Sequence, residues 1–309
     1  MLGCAAGKNG EVCIKPAKVS PSVFVLILNW NGWQDTVQCI ESLKSLTYPN
    51  YEIVVLDNAS TNDSVARIRE AHPDVILIET GANLGFAGGN NVGIRYALDE
   101  GADYIWLLNN DTKVFENTLE AFVAAGEENQ DIGILGSPIY EMNEPEVLQT
   151  WGGGRINMWL GRATRCKQGE TPDYITGASM FVRRTVFNTI GLLDDKFFMY
   201  WEDADFSLRA AKHGWKLYVE PRARVLHKES ASVGLKSYHQ FRMYTESSLY
   251  FFDKHSSYSL LSKSSSILFR LTKRLTRFDS SGLRAIYDGV RDYHKKYRSR
   301  TKDLMGGES

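Results

Sequence analysis

The sequence predicts an α/β protein whose sheet is doubly wound by helices, and three observations carry that reading. Four short apolar runs rich in β-branched residues come first: Val23–Leu28 (VFVLIL), Glu52–Leu56 (EIVVL), Val75–Ile78 (VILI) and Tyr104–Leu108 (YIWLL). Continuous apolar runs of this length suit strands covered on both faces, as in a parallel sheet. Helical stretches lie between them. Asp35 is placed to cap one that carries Val37, Ile40 and Leu43 on a stripe; Asp63 is placed to cap another through Val65 and Ile68, stopped before Pro73. Asn91 to Leu98 reads as a third. Finally, 43% hydrophobic and 12% aromatic residues in 309 supply enough apolar mass for a real core. Alternation of strand and helix implies a sheet whose ligands bind beyond the carboxyl ends of its strands.

What stands at those ends is polar. The first strand leads to Asn29-Trp30-Asn31-Gly32 and the second to Asp57-Asn58-Ala59-Ser60. The third leads to Asn83 and the segment GFAGGNN (Gly85–Asn91), the fourth to Asn109-Asn110-Asp111. Each alone reads equally well as turn chemistry, because Asn and Asp bond their own backbone and tolerate left-handed conformations. Together, in one crevice, they favour a site for a polar ligand. The glycine segment is neither GxGxxG nor GxxxxGK[ST], since no lysine follows. Gly88 and Gly89 ahead of a helix still permit close backbone approach to an anionic ligand, or simply a tight strand-to-helix turn.

A second cluster lies at residues 194–229. Glu202, Asp203 and Asp205 sit among Phe197, Phe198, Tyr200, Trp201 and Phe206, ahead of a helix that Gly214 ends. A carboxylate among aromatics holds its proton more readily, which suits a general base near neutral pH. Asp205 serves as readily as a cap or as the partner of Arg209 at i+4. His227 follows a strand-like run (Ala223–Leu226) and alone reads as structural as readily as a ligand.

Charge and cysteines narrow the class. Net charge is −1, yet residues 236–309 hold 15 Lys+Arg against 7 Asp+Glu, leaving 21 against 30 before them. An acidic body with a basic tail does not match a nucleic-acid binder, which carries its basic charge on the main domain. Cys4, Cys13, Cys39 and Cys166 form no CxxC pair, which points away from zinc or a disulfide framework and toward a reducing compartment. No apolar run approaches a membrane span, and residues 1–20 read as a loose leader without signal-peptide order. The expected location is the cytoplasm. In the tail, Ile267–Phe278 (ILFRLTKRLTRF) places Leu268, Leu271, Leu275 and Phe278 on one helical side, with Arg270, Lys273, Arg274 and Arg277 on the other. That pattern suits a helix lying on the inner face of the cytoplasmic membrane through residues 260–300, or one whose stripe packs on the body.

The motifs VLILNWNG, VVLDNAS, NLGFAGGNNVG, WLLNNDT, TGASMFVRR and FFMYWEDADFSLRAAKHG, followed by His227, are specific in combination. Over residues 22–230 the chain resembles an inverting family 2 glycosyltransferase of the GT-A fold, rhamnosyltransferase-like. The resemblance implies a Rossmann-like, mostly parallel mixed sheet at 21–235 and a helical extension at 236–309. It implies that Asp57 accepts from the base or ribose of a dTDP- or UDP-sugar. Asn29, Asn31, Asn58, Asn83, Gly88, Asn90, Asn109 and Asn110 would line the donor site. Gly177 and Ala178 would approach the donor sugar, and Trp201 would stack on a sugar face. Asn109-Asn110-Asp111 takes the place of the family's DxD motif, with Asn109 replacing the first Asp, so that Asp111 and His227 would hold Mg²⁺ or Mn²⁺. Asp203, beside Glu202, takes the place of the catalytic base acting on a glycan or polyprenyl-linked acceptor. Two other readings compete: an idle nucleotide-sugar-binding relative, and a sugar nucleotidyltransferase, which the Asn-Trp-Asn-Gly after the first strand disfavours.

Overall fold

A computed structural model describes residues 20–228 and 238–298. The four apolar runs are strands β1 (Val23–Asn29), β2 (Tyr51–Asp57), β3 (Ile76–Glu79) and β4 (Tyr104–Asn109). Helices α1 (Trp33–Leu43), α2 (Ser64–Ala71) and α3 (Gly85–Asp99) connect them. There follow β5 (Thr112–Val114), α4 (Thr118–Glu128), β6 (Ile132–Gly136), β7 (Pro138–Glu141), β8 (Leu148–Trp151), β9 (Gly153–Asn157), β10 (Arg162–Arg165) and β11 (Tyr174–Ile175). Next come β12 (Ser179–Arg183), α5 (Arg184–Ile190), α6 (Glu202–Lys212), β13 (Lys216–Val219) and β14 (Val225–His227). The described residues close with α7 (Tyr238–His255), α8 (Ser259–Leu275), α9 (Ser280–Tyr293) and a π-helical turn (His294–Arg298).

The main sheet has the order β13-β6-β12-β4-β1-β2-β3. β12 runs antiparallel to both neighbours, while the other pairings are parallel. A continuous apolar run is what such a sheet needs, because both faces are covered. Val23, Val25 and Ile27 enter the core under α1 and α4, whereas Phe24 and Leu26 enter the one under α3 and α6. Each such side chain fully buried is worth about 1.5–3 kcal/mol. Two smaller sheets, β5-β14-β7-β8 and β10-β9-β11, stand beside the main one.

Two helix starts and one capping bond differ from the sequence reading. Helix α1 starts at Trp33, capped by Gly32, so Asp35 lies within its first turn and pairs with Lys228 instead. Asp63 does occupy the cap of α2, but its carboxylate bonds Arg67 rather than a backbone N–H. Helix α3 starts at Gly85, which puts the glycine segment inside the helix. There Gly89 lets the helix approach the sheet: a Cβ would fall 2.6 Å from Leu28. The expected domain boundary at 235/236 and the leader up to residue 19 lie outside the described residues.

Candidate active site

Strand β4 ends at Asn109, and the chain turns through Asn110 and Asp111 into β5. Strand β14 pairs antiparallel with β5, setting His227 against Thr112. Across that pairing His227 Nε2 lies 3.2 Å from Asp111 Oδ1, both side chains largely buried. Gln149 of β8 fixes the ring. Its amide nitrogen donates to Glu141 Oε2 and to the His227 carbonyl, both at 2.8 Å, so its oxygen is the atom 3.1 Å from His227 Nδ1. That oxygen only accepts, so Nδ1 carries a proton, and in the neutral ring Nε2 presents its lone pair toward Asp111. In that form a cation between Nε2 and the carboxylate oxygen 3.2 Å away would satisfy both, the place a proton takes in the imidazolium. Two protein donors with open positions beyond them fit Mg²⁺ or Mn²⁺, which keep room for phosphate oxygens and water. Among the described residues no third His, Cys, Asp or Glu joins this pair.

Asn109 Nδ2 lies 3.4 Å from the same Nε2, while Asn110 donates to Thr36 Oγ1 (3.1 Å) and the Gly32 carbonyl (3.3 Å), holding the strand end against α1. Neither amide stands in for the missing carboxylate charge.

The second half of the site reaches the same edge. Because β12 is antiparallel to β4, its start adjoins the end of β4: Ser179 faces Leu108, and Asn109 N–H donates to the Ala178 carbonyl at 3.0 Å. One residue earlier, Gly177 N–H donates to Asp203 Oδ2 at 3.0 Å, and Ala204 N–H to Oδ1 at 2.7 Å. Asp111 and Asp203 thus belong to one sheet edge, joined through Asn109, Ala178 and Gly177. Burial raises the Asp203 pKa, and the two backbone donors pull it back. Glu202 is pushed well above the carboxylate range by burial and by the Asp203 charge, and its buried Oε2 has no hydrogen-bond partner. Two backbone N–H groups favour the charged form of Asp203 and none reaches Glu202 Oε2, so Asp203 is the member of the pair suited to carry the charge. Tyr200 (φ 71°) and Trp201 (φ 70°), left-handed in succession, turn the chain so that α6 begins at this pair. Such backbone costs on the order of 1–3 kcal/mol per residue and is held only by its surroundings.

Those surroundings correct one expectation. Trp201 is 5% exposed, with its ring on Phe251 and Phe252 of α7, so it anchors α6 rather than offering a platform to a sugar. The asparagines are corrected in part. Asn29 donates to Asp57 and Ser60 and accepts from Gly32 and Thr36; Asn58 donates to Asn83 and the Gly85 carbonyl and accepts from Thr80 and Leu84. Both NH₂ groups and at least one acceptor position on each amide are used by the protein itself, so they chiefly shape the crevice. Asn31 ties its loop to Thr61 and Asn62, Asn83 accepts from Gly85, and buried Asn90 donates to the Phe86 carbonyl. Gly88 is helical, packed against Leu84. Asp57 accepts from Asn29 Nδ2 and Ser60 N–H, one bond per oxygen, which leaves each oxygen a further lone pair. Asp205 takes its structural role: Arg209, His255 and Lys254 surround its fully buried carboxylate at 2.7–2.8 Å. The sequence reading missed Gln149, 78 residues from the histidine it orients.

A mixed, mostly parallel sheet brings an acidic strand end and a partly buried aspartate to the carboxyl ends of its central strands. A family model described as Glycosyl transferase family 2 matches residues 24–191, and the chain belongs to that family. Curated relatives agree. The low-salt glycan biosynthesis hexosyltransferase Agl10 of Haloferax volcanii is 32% identical over 198 residues, 61% of each chain. The N-acetylglucosaminyl-diphospho-decaprenol L-rhamnosyltransferase of Mycobacterium tuberculosis is 27% identical over 248 residues, 71% of this chain and 80% of that one. The dTDP-rhamnosyl transferase RfbF of Shigella flexneri is 22% identical over 215 residues, 68% and 70%. Among solved structures, the fold is shared with a mannosyltransferase of Pyrobaculum calidifontis in complex with GDP-Man and Mn²⁺ (TM-score 0.56, 14% identity, 96% of this chain and 92% of that one). It is shared too with GalNAc-T7 with UDP, GalNAc and Mn²⁺ (TM-score 0.59, 16% identity, 85% and 59%). The chain is a glycosyltransferase, which sets aside the nucleotidyltransferase reading.

Proposed function

We propose that this glycosyltransferase moves a sugar from a nucleotide-sugar donor to a glycan or polyprenyl-linked acceptor with inversion, using a divalent cation, and that dTDP-rhamnose is its donor. One observation carries the reading: Asp203 hangs from the Gly177 N–H at the end of the strands that presents Asp111 to His227. Asp203 takes the proton of an acceptor hydroxyl, whose oxygen bonds to the anomeric carbon as the bond to the diphosphate breaks on the opposite face. One displacement inverts the configuration without a covalent bond to the enzyme. A cation bound by Asp111 and His227 would neutralise charge on the departing diphosphate. Asp57 accepts from the base or ribose through its remaining lone pairs. The donor and acceptor assignments are supported by the rhamnosyl and decaprenol names of two relatives.

The test is a panel of dTDP-, UDP- and GDP-sugars offered with a polyprenyl-diphosphate-linked acceptor, with and without Mn²⁺. Transfer from dTDP-rhamnose, lost with chelator, with inverted anomeric configuration by NMR, is expected. Retention, or transfer indifferent to chelator, contradicts the mechanism; preference for another nucleotide contradicts the donor.

A further inference from the structure

Helix α8 is amphipathic in the inverted sense. Its polar side faces the protein: Ser262 and Ser266 are buried, and Arg270 lies over the Tyr244 ring while donating to Ser248 at 2.8 Å. Arg274 lies over Phe241 and pairs with Asp279. The apolar side faces outward, with Leu260 79%, Leu268 63% and Leu275 58% exposed, and Phe278 just beyond at 95%. A helix that docks on a soluble body does the reverse. So large an exposed apolar stripe marks an interaction surface.

The surface continues beyond the helix. Gly161, in the turn between β9 and β10, packs so closely on α8 that a Cβ there would fall 2.0 Å from the Ser262 carbonyl. That contact holds Trp159 (54% exposed) stacked on Tyr258 (53% exposed), ring centroids 4.2 Å apart, beside the half-exposed Leu160. Across residues 157–165 and 259–278 there is no Asp or Glu, against seven Lys or Arg. Of these, Arg165, Lys273 and Arg277 are exposed.

Leucines outward, an aromatic pair at one border and a sequence rich in cations, two of them paired with Asp253 and Asp279 at the margins, match the three zones of an anionic bilayer surface: acyl chains, interface and headgroups. A second copy docking about a two-fold axis would instead set this basic rim against itself. We propose that the outer face of α8 and the turn between β9 and β10 form a monotopic docking surface for an anionic lipid bilayer. The inner face of the same helix reaches the catalytic region: Arg270 covers Tyr244, whose ring centroid is 5.9 Å from that of Trp201, the residue before Glu202 and Asp203. Three packed side chains, Arg270, Tyr244 and Trp201, thus connect the docking helix to the acidic pair. This inference stands whichever sugar is transferred.

The full chain is sedimented with sucrose-loaded vesicles of phosphatidylcholine alone or with phosphatidylglycerol, and its oligomeric state is followed by light scattering. Expected is partition onto the phosphatidylglycerol vesicles that falls at least about tenfold in the double variant Leu268→Asp, Leu275→Asp. A similar fall is expected in Lys273→Glu, Arg277→Glu. All four positions are exposed or at the rim, so both variants should melt as the parent does. Undiminished binding by the leucine variant overturns the proposal. So does a parent that binds neither vesicle, including one found as a dimer that the leucine variant dissolves.

Discussion

Replacing Asp203 with Asn tests the site at its centre. The carboxylate accepts one backbone N–H on each oxygen, from Gly177 and from Ala204. A carboxamide can satisfy one of them; its NH₂ must face the other N–H. That mismatch costs about 1–3 kcal/mol of stability, which a melting curve reads directly. The chemical loss is separate. Without a base, turnover should fall by ~10²–10⁴, or about 3–5 kcal/mol of barrier at 1.36 kcal/mol per decade. Donor binding should persist, because Asp111 and His227 are untouched: a heat shift by nucleoside diphosphate with Mn²⁺ should survive. Glu202→Gln is the paired control. Glu202 is already neutral, so the amide replaces an acid of the same charge, and turnover should stay within about tenfold. In the parent, the acid limb of kcat/KM should lie above the ordinary aspartate value of 3.8, because burial raises the Asp203 pKa. Glu202→Gln should leave that limb in place. Near-normal turnover in Asp203→Asn, or a Glu202→Gln variant equally dead, would show that the proton goes elsewhere.

Two further substitutions probe what holds the site. Gln149→Leu removes the acceptor that keeps the His227 lone pair turned toward Asp111, and should weaken Mn²⁺ binding by about 10–100-fold in calorimetry; unchanged affinity would remove His227 from the metal site. Burial raises the Asp205 pKa, but the His255 hydrogen bond, the Arg209 charge and Lys254 outweigh it and bring the group to about 2. A depressed acid stabilises the fold above its unfolded value near 3.8 and loses that contribution as pH falls toward 2, here about 2 kcal/mol. Asp205→Asn should flatten melting temperature against pH in that window. It should also cost about 3–5 kcal/mol at neutral pH, where it leaves Arg209 without its carboxylate while Lys254 keeps Asp194; a parent-like acid profile would refute the cluster's role.

How much of this could be read from letters depends on whether the deciding partner lies nearby in the chain. The strands were legible because a run such as VFVLIL must be covered on both faces wherever it goes, and the asparagines at their ends fell out of the same reading. The proximity of Glu202 to Asp203 is likewise local. Trp201 was misread because an aromatic letter before an acidic pair is the same whether the ring meets a sugar or a core. Phe251 and Phe252, fifty residues on, decide it. Gly89 looked like an approach to a ligand because the leucine it accommodates, Leu28 of β1, lies far from it in the chain. The same limit applies to α8 with more consequence. Periodicity fixes which residues share a side but is unchanged when the helix rolls about its axis. Only the serines and arginines seated on α7 show that the leucine side is the outer one. A helix placed by its polar face leaves its apolar face for something else to cover, and that asymmetry exists only in the packed chain.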